Sequence, residues 1–201
     1  MNRYELLASL QAQDFPLKII KAFTKVKREE FISPDLESLA YTDNPLPIGH
    51  DQTISQPFTV ALMLTLLEIK DNQKILEIGS GSGYVLALMN ELGKSLEIYG
   101  VERINQLAEK SQARLKKYPN IKIVNKDGSL GLQDKAPFDR IIVSASYDEI
   151  PYHLIDQLKD RGILIVPVEN SLYKIERKSR ENKITEIPGF IFVPIIQDKE
   201  K

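Results

Sequence analysis

The sequence predicts an α/β fold of the Rossmann-like, doubly wound type, built on a mainly parallel sheet. The first observation is an apolar strand at 74–78 that breaks into a glycine turn and continues at once as a helical pattern. The second is the alternation of strand and helix over 74–168, which favours right-handed parallel connections. The third is the segment 172–196, where strands follow one another directly and predict an antiparallel C-terminal edge. A helical N-terminal extension, 1–72, completes the chain.

The βαβ core contains five predicted strands, each an apolar run bounded by turn-forming residues. These strands are 74–78, 97–101, 121–125, 140–144 and 163–168. Helices with apolar residues at helical spacing fall near 82–92, 106–117 and 152–158. In the C-terminal segment, a charged turn at 179–183 separates the last strands.

The N-terminal extension is expected to be mostly helical, with one interruption at 41–57. Prolines and a glycine punctuate this polar stretch, which predicts an ordered loop that is neither helix nor strand. A helix at 57–68 follows, with proline in its first turn. Ser55 therefore has a simple interpretation as the cap of that helix.

Composition narrows the possible functions. The chain has 201 residues, enough for one domain spanning 1–201, with 27 basic and 28 acidic side chains and a net charge of -1. This balance argues against a nucleic-acid partner. The chain has no cysteine and two histidines, so thiol chemistry and a metal cluster are not expected. No secretory signal or membrane-spanning run is found, which predicts a cytoplasmic protein without membrane contact. A monomer is expected. We expect these basic residues to form a solvated face: Lys18, Lys21, Lys25, Lys27 and Arg28.

The glycine turn is the first feature that points to a ligand. Gly79, Gly81 and Gly83 follow the strand at alternate positions, Glu77 precedes them, and Tyr84 stands where a dinucleotide-binding turn has its third glycine. Glycines let a backbone approach a nucleotide-like ligand closely. The pattern resembles the first motif of S-adenosylmethionine-dependent methyltransferases.

Two further strand ends carry residues suited to a nucleoside. Glu102 ends the second strand, where a carboxylate can accept both ribose hydroxyls, or else cap the next helix. Asp127 and Gly128 follow the third strand and suit an adenine ring, or else form an ordinary Asp-Gly turn. Ligands of open α/β sheets bind at the carboxyl ends of strands, so the three sites together favour nucleoside binding.

A longer resemblance gives the family. The segment Pro-Leu-Pro-Ile-Gly-x-x-Gln-Thr-Ile-Ser-Gln-Pro, at 45–57, is similar to the signature of protein-L-isoaspartate O-methyltransferases. Similar stretches recur in order along nearly the whole chain, at 28–31, 40–41, 76–84, 101–103, 127–128, 137–143, 150–151, 157–159 and 192–194. The Thr-Ile-Ser-Gln-Pro stretch is more diagnostic than the glycine turn, because other methyltransferases lack it.

The resemblance implies an activity and a set of site residues. It implies S-adenosylmethionine-dependent methylation of the free α-carboxylate of L-isoaspartyl residues in damaged proteins or peptides, yielding S-adenosylhomocysteine and an ester that collapses to a succinimide. By similarity, Ser55 orients the acceptor carboxylate as the catalytic hydroxyl. The cofactor-binding residues that it implies are Gln52, Thr53, Ile54, Ser55, Glu77, Gly79, Ser80, Gly81, Gly83, Glu102, Arg103, Asp127 and Gly128.

Several residues depart from the family pattern. The departures are Asp51, Lys126, Arg161 and Glu169, where glycine is usual, and Ser146 with Tyr147 in a stretch that is normally small. A carboxylate at Asp51 would repel an anionic acceptor if it faced the site, and would change nothing if it faced solvent. Three alternatives therefore stay open: another acceptor, cofactor binding without turnover, and a nucleotide-dependent oxidoreductase.

Overall fold

The computed structural model describes residues 1–197, and these form an N-terminal helical layer, a small hairpin and one seven-stranded sheet. The α-helices are α1 (Arg3–Ala12), α2 (Leu17–Lys25), α3 (Pro57–Leu67), α4 (Tyr84–Asn90), α5 (Asn105–Leu115) and α6 (Tyr152–Ile155). The 3-10 helices are Arg28–Phe31, Pro34–Leu39 and Gln133–Lys135. The strands are β1 (Leu46–Gly49), β2 (Gln52–Ile54), β3 (Lys74–Ile78), β4 (Glu97–Glu102), β5 (Ile121–Asn125), β6 (Phe138–Val143), β7 (Leu158–Val168), β8 (Ser171–Glu176) and β9 (Lys183–Pro188).

The sheet confirms the predicted fold class. Its strand order is β5-β4-β3-β6-β7-β8-β9, with the first five strands parallel and the last two antiparallel. The chain reverses its direction of winding between β3 and β6, where doubly wound sheets open a crevice at their carboxyl ends. The fold therefore places a ligand site at the ends of β3, β4 and β6.

The core has two halves, because side chains of successive strand residues point to opposite faces of the sheet. On β3, Ile75 packs with the cluster that includes α2, α3 and α4, whereas Leu76 and Ile78 pack in the cluster that includes α6. Glu77 alternates with these residues and is nevertheless 1% exposed. A carboxyl group thus lies within an otherwise apolar strand.

The prediction of an irregular loop at 41–57 was wrong, because β1 and β2 pair as an antiparallel hairpin within it. The prolines did not reveal this, because an isolated two-stranded hairpin leaves one side of each strand unpaired and so tolerates Pro47. His50 and Asp51 form its tip, both at φ +57°. Two left-handed residues are what a tight hairpin turn requires.

The C-terminal strands also end earlier than predicted. The last strand ends at Pro188, and Gly189, at φ +92°, redirects the chain. Residues 190–197 then return along the carboxyl end of the sheet, where Ser146 forms a bridge to Pro194. The predicted helix at 152–158 is a single turn, because Leu158 begins β7. Within residues 1–197, no helix is both long and apolar enough to cross a bilayer.

Candidate active site

A cleft opens at the carboxyl ends of β3, β4 and β6, as the sheet topology requires. It encloses about 830 Å³ including its open mouth, a volume that suits a nucleoside-sized ligand. Every predicted site residue except Gly83 lines it. The hairpin of β1 and β2, called the acceptor hairpin below, lines the cleft with Ile48 and residues 52–54, and the glycine turn lines it with Gly79 and Gly81. The residues predicted to bind the cofactor and the residue predicted to orient the methyl acceptor therefore line one cavity.

The glycine turn shapes the floor of the cleft. Gly79 and Gly81 lie at φ +75° and +50°, a region that side chains disfavour, and a Cβ on Gly81 would lie 3.2 Å from Ile48 of the hairpin. Gly83 has a packing role, and its part in cofactor binding stays a prediction. It lies outside the cleft wall, and a Cβ there would lie 2.7 Å from the Leu115 side chain of α5. Gly83 therefore allows α4 to pack closely against α5.

Glu77 is the most perturbed acid of the cleft. Its Oε1 accepts a 2.8 Å hydrogen bond from Ser144, while Oε2 is buried without a partner among residues 1–197. The pKa of Glu77 is raised to about 8, chiefly by burial and with a smaller contribution from the charge on Glu102, against the opposing hydrogen bond from Ser144. Ser80 Oγ is likewise buried and unpartnered in the described chain. Two orphaned polar atoms in one cleft fit a ligand with a donor and a positive charge.

Glu102 is held in place by backbone amides. Gly81 donates to its Oε2 and Ile104 to its Oε1, both at 2.8 Å. Ile104 directly precedes α5, so the expected helix-capping role is present. Each carboxylate oxygen keeps a further acceptor site, so the capping and ribose-binding roles are compatible. Arg103 lies beside it in the cleft wall.

The turn after β5 is a local Asp-Gly turn, as one of the two interpretations predicted, and its residues line the cleft, so the adenine role stays a prediction. Asp127 Oδ1 accepts a 2.8 Å hydrogen bond from the Ser129 amide, as in a local Asp turn. Gly128 is required by packing, since a Cβ there would lie 2.9 Å from Val101. Tyr147, one of the departures from the family pattern, donates a 2.7 Å hydrogen bond to the Ser129 carbonyl and so braces this turn.

Ser55 lines the cleft and does not cap α3. The residue before α3 is Gln56, which makes no side-chain capping bond, and the Phe58 amide donates to Asp43 at 2.8 Å instead. The capping interpretation of Ser55 was therefore wrong. Its neighbours in the cleft wall are Gln52, Thr53 and Ile54.

The returning C-terminal segment supplies residues that the sequence did not assign to the site. Residues 193–196 line the cleft beside the hairpin. Ser146 holds them, since its amide donates to Val193 O and its carbonyl accepts from Ile195 N, both at 2.8 Å. The only signal in the sequence was the family-like stretch at 192–194.

At three of the positions where the family usually has glycine, this chain has another residue in a backbone conformation that favours glycine. Asp51, Arg161 and Glu169 are exposed and lie at φ +57°, +59° and +49°, where glycine is the unstrained residue. Asp51 belongs to the hairpin tip and does not line the cleft. Lys126 is exposed as well. None of these four side chains lies in the cleft wall.

The doubly wound sheet, with a glycine turn after β3 and a cleft at the carboxyl ends of β3, β4 and β6, has the architecture of S-adenosylmethionine-dependent methyltransferases. The comparisons with known proteins give the family. The model of the protein-L-isoaspartate (D-aspartate) O-methyltransferase family matches residues 1–200, and this chain belongs to that family.

Relatives of known name extend over almost the whole chain. The protein-L-isoaspartate O-methyltransferase of Fervidobacterium nodosum is 45% identical over 197 residues, covering 94% of this chain and 99% of its own. That of Methanococcoides burtonii is 42% identical over 198 residues, covering 95% and 98%.

Solved structures agree with this assignment. A protein-L-isoaspartate O-methyltransferase has a TM-score of 0.86 at 27% identity, and the match covers 96% of this chain and 65% of that longer chain. A Plasmodium falciparum structure described by the same enzyme name, in complex with S-adenosyl-L-homocysteine, has a TM-score of 0.85 at 27% identity, with coverages of 98% and 100%.

Proposed function

We propose that this protein transfers the methyl group of S-adenosylmethionine to the free α-carboxylate of L-isoaspartyl residues in damaged proteins or peptides. The observation that carries the proposal is that Ser55, directly after β2, and the glycine turn after β3 line the same cleft. Two substrates bound in one cleft have already lost much of their translational and rotational entropy, so the transfer step no longer has to overcome that cost.

The residues of the cleft fit the cofactor part by part. Glu77, with its orphaned Oε2, and Gly79 would hold the methionine half, Glu102 the ribose, and Asp127 with Gly128 the adenine. When bound, S-adenosylmethionine supplies an electrophilic methyl group on a sulfonium centre. The protein therefore has to align and shield the acceptor.

The acceptor side needs no general base, because a carboxylate is already ionised at neutral pH. The Ser55 hydroxyl donates to that carboxylate and orients it. The hairpin and residues 193–196 flank the cleft and exclude water, which strengthens the electrostatic interactions inside it.

Transfer of a labelled methyl group to paired peptides that differ only in aspartate versus isoaspartate tests the proposal. Base-labile labelling of the isoaspartyl peptide alone is the expected result. Labelling of both peptides, or of neither while S-adenosylhomocysteine still binds in a calorimeter, would contradict it. The first of those results would indicate a broader acceptor, and the second a binding protein without turnover.

The partner in this proposal is a damaged protein or peptide, recognised without nucleic acid or a membrane. We propose that the chain works as a monomer in the cytoplasm. Size-exclusion chromatography with light scattering checks the monomer, and fractionation of cells checks the location.

A further inference from the structure

Arg28 is the largest fully buried side chain of the structure, and it lies behind the acceptor side of the cleft. The sequence suggested a solvated face, and this prediction was wrong for Arg28. The residue starts a 3-10 helix after α2 has ended, and its side chain is 0% exposed. A buried guanidinium is costly unless its donors are used, so the destination of its hydrogen bonds indicates its role.

Within residues 1–197, the hydrogen bonds of the Arg28 guanidinium all go to backbone carbonyls of residues 40–55, here called the acceptor segment, while its Nε is buried without a partner. Nη1 lies 2.8 Å from Ala40 O and 3.4 Å from Thr42 O, while Nη2 lies 3.1 Å from Asn44 O and 3.0 Å from Ser55 O. One planar fork therefore holds the start of the acceptor segment and the peptide group of Ser55 together.

The same 3-10 helix also contacts the cofactor side of the cleft. Phe31, three residues after Arg28, packs its ring 5.4 Å from that of Tyr84 between the ring centroids. Tyr84 begins α4 directly after the glycine turn and lines the cleft. The 3-10 helix of Arg28 and Phe31 thus connects the Ser55 segment with the glycine turn that would hold the cofactor.

We propose that Arg28 is a positioning residue that sets the place of Ser55 relative to the cofactor turn, by tying four carbonyl oxygens of the acceptor segment to one guanidinium. This inference rests on the proposed function for the identity of the methyl acceptor. The hydrogen bonds between Arg28 and the acceptor segment do not depend on that function. An error of about 1 Å in such positioning reduces turnover by about 100-fold.

Arg140 offers a matched control. It is also buried, at 6% exposure, and donates to backbone carbonyls, with Nη2 3.1 Å from Glu68 O and Nη1 2.7 Å from Asp139 O. It lies on β6 outside the cleft wall. Arg140→Met therefore reproduces the loss of a buried, carbonyl-bound arginine without touching the acceptor segment.

The test compares Arg28→Met, Arg28→Lys and Arg140→Met at a temperature where circular dichroism shows all three folded. For Arg28→Met we expect kcat/KM on the isoaspartyl peptide to fall by about 100-fold, with the Kd of S-adenosylhomocysteine within about threefold of wild type. Arg28→Lys should lose about tenfold, because an ammonium keeps the charge but cannot reach all four carbonyls. Arg140→Met should stay within about threefold of wild type in kcat/KM.

Amide hydrogen exchange of residues 40–56 gives a second measurement that does not depend on the acceptor. We expect faster exchange in Arg28→Met and unchanged exchange in Arg140→Met. Equal kcat/KM or equal exchange in the two methionine variants would overturn the inference. If the wild-type chain does not label the isoaspartyl peptide, the proposed function fails, and the exchange data still test the role of Arg28.

Discussion

Glu77 should make the unliganded protein less stable as the pH rises, and Glu77→Gln should remove this effect. The carboxyl is 1% exposed, and burial, with a further contribution from the charge of Glu102, raises its pKa to about 8 from 4.5. The folded chain therefore holds a proton that the unfolded chain releases above pH 4.5. The stabilisation is complete below the unfolded pKa and is lost as the pH rises to the folded pKa.

The magnitude follows from the same shift. At pH 7 the unfolded glutamate lies about 2.5 pH units above its pKa of 4.5, while the folded one stays mostly protonated. Each unit corresponds to about 1.4 kcal/mol, so the free energy of unfolding is lower by about 3 kcal/mol than at acid pH. Glutamine keeps the shape and can still accept the Ser144 hydrogen bond, but it has no proton to lose.

Urea unfolding of both proteins from pH 5 to pH 8, without cofactor, measures the effect. The difference in free energy of unfolding, wild type minus Glu77→Gln, should fall by about 3 kcal/mol across this range. Glu109→Gln, on the exposed face of α5, corrects for removal of one acidic side chain. A difference that stays constant with pH would refute the reasoning, because it would mean that Glu77 is ionised in the folded state.

Three further predictions concern the acceptor, the ribose site and the backbone. Ser55→Ala should lower kcat by about 100-fold with little change in the Kd of S-adenosylhomocysteine, and unchanged turnover in a methyl-transfer assay would remove Ser55 from the site. Glu102→Ala should weaken that Kd by about 10- to 100-fold, since a charged hydrogen bond contributes about 1.5–3 kcal/mol, and a wild-type value by calorimetry would contradict the ribose assignment. Arg161→Gly should raise the melting temperature by about 1–4 °C without changing kcat, because it relieves a φ of +59° at an exposed position of β7 where the register with β6 shifts, and a lower melting temperature would contradict this account.

Some of the fold was open to prediction because its signals are local. Strands β3 and β5 begin and end at the predicted residues. β3 is buried in the sheet interior and therefore mostly apolar, whereas β5 lies at the edge and alternates half-buried apolar residues with exposed polar ones. Gly79 and Gly81 line the cleft at positive φ, which agrees with the close backbone approach to a ligand that the glycine turn predicted. The placement of Glu102 and Asp127 beside them follows from parallel strands ending at one edge.

Other features depended on partners distant in the sequence. The same glycine pattern that indicated a ligand did not show that Gly83 packs against Leu115. The hairpin of β1 and β2 was hidden because Pro47 is disfavoured in a strand unless one side of that strand is unpaired. Arg28 was misjudged because its helical-looking neighbourhood gave no hint of four carbonyl acceptors 12 to 27 residues away.

The sequence by itself determined the sheet, the glycine turn and the family, because these depend on local periodicity and on short motifs. Only the tertiary structure decided which residues face the cleft, which glycine is needed for packing, and how residues 193–196 return to the site. It also decided the ionisation of Glu77 and the burial of Arg28. The physical reason is that burial and hydrogen-bond partners are set by segments far apart in the chain, which have no signature at the residue that they surround.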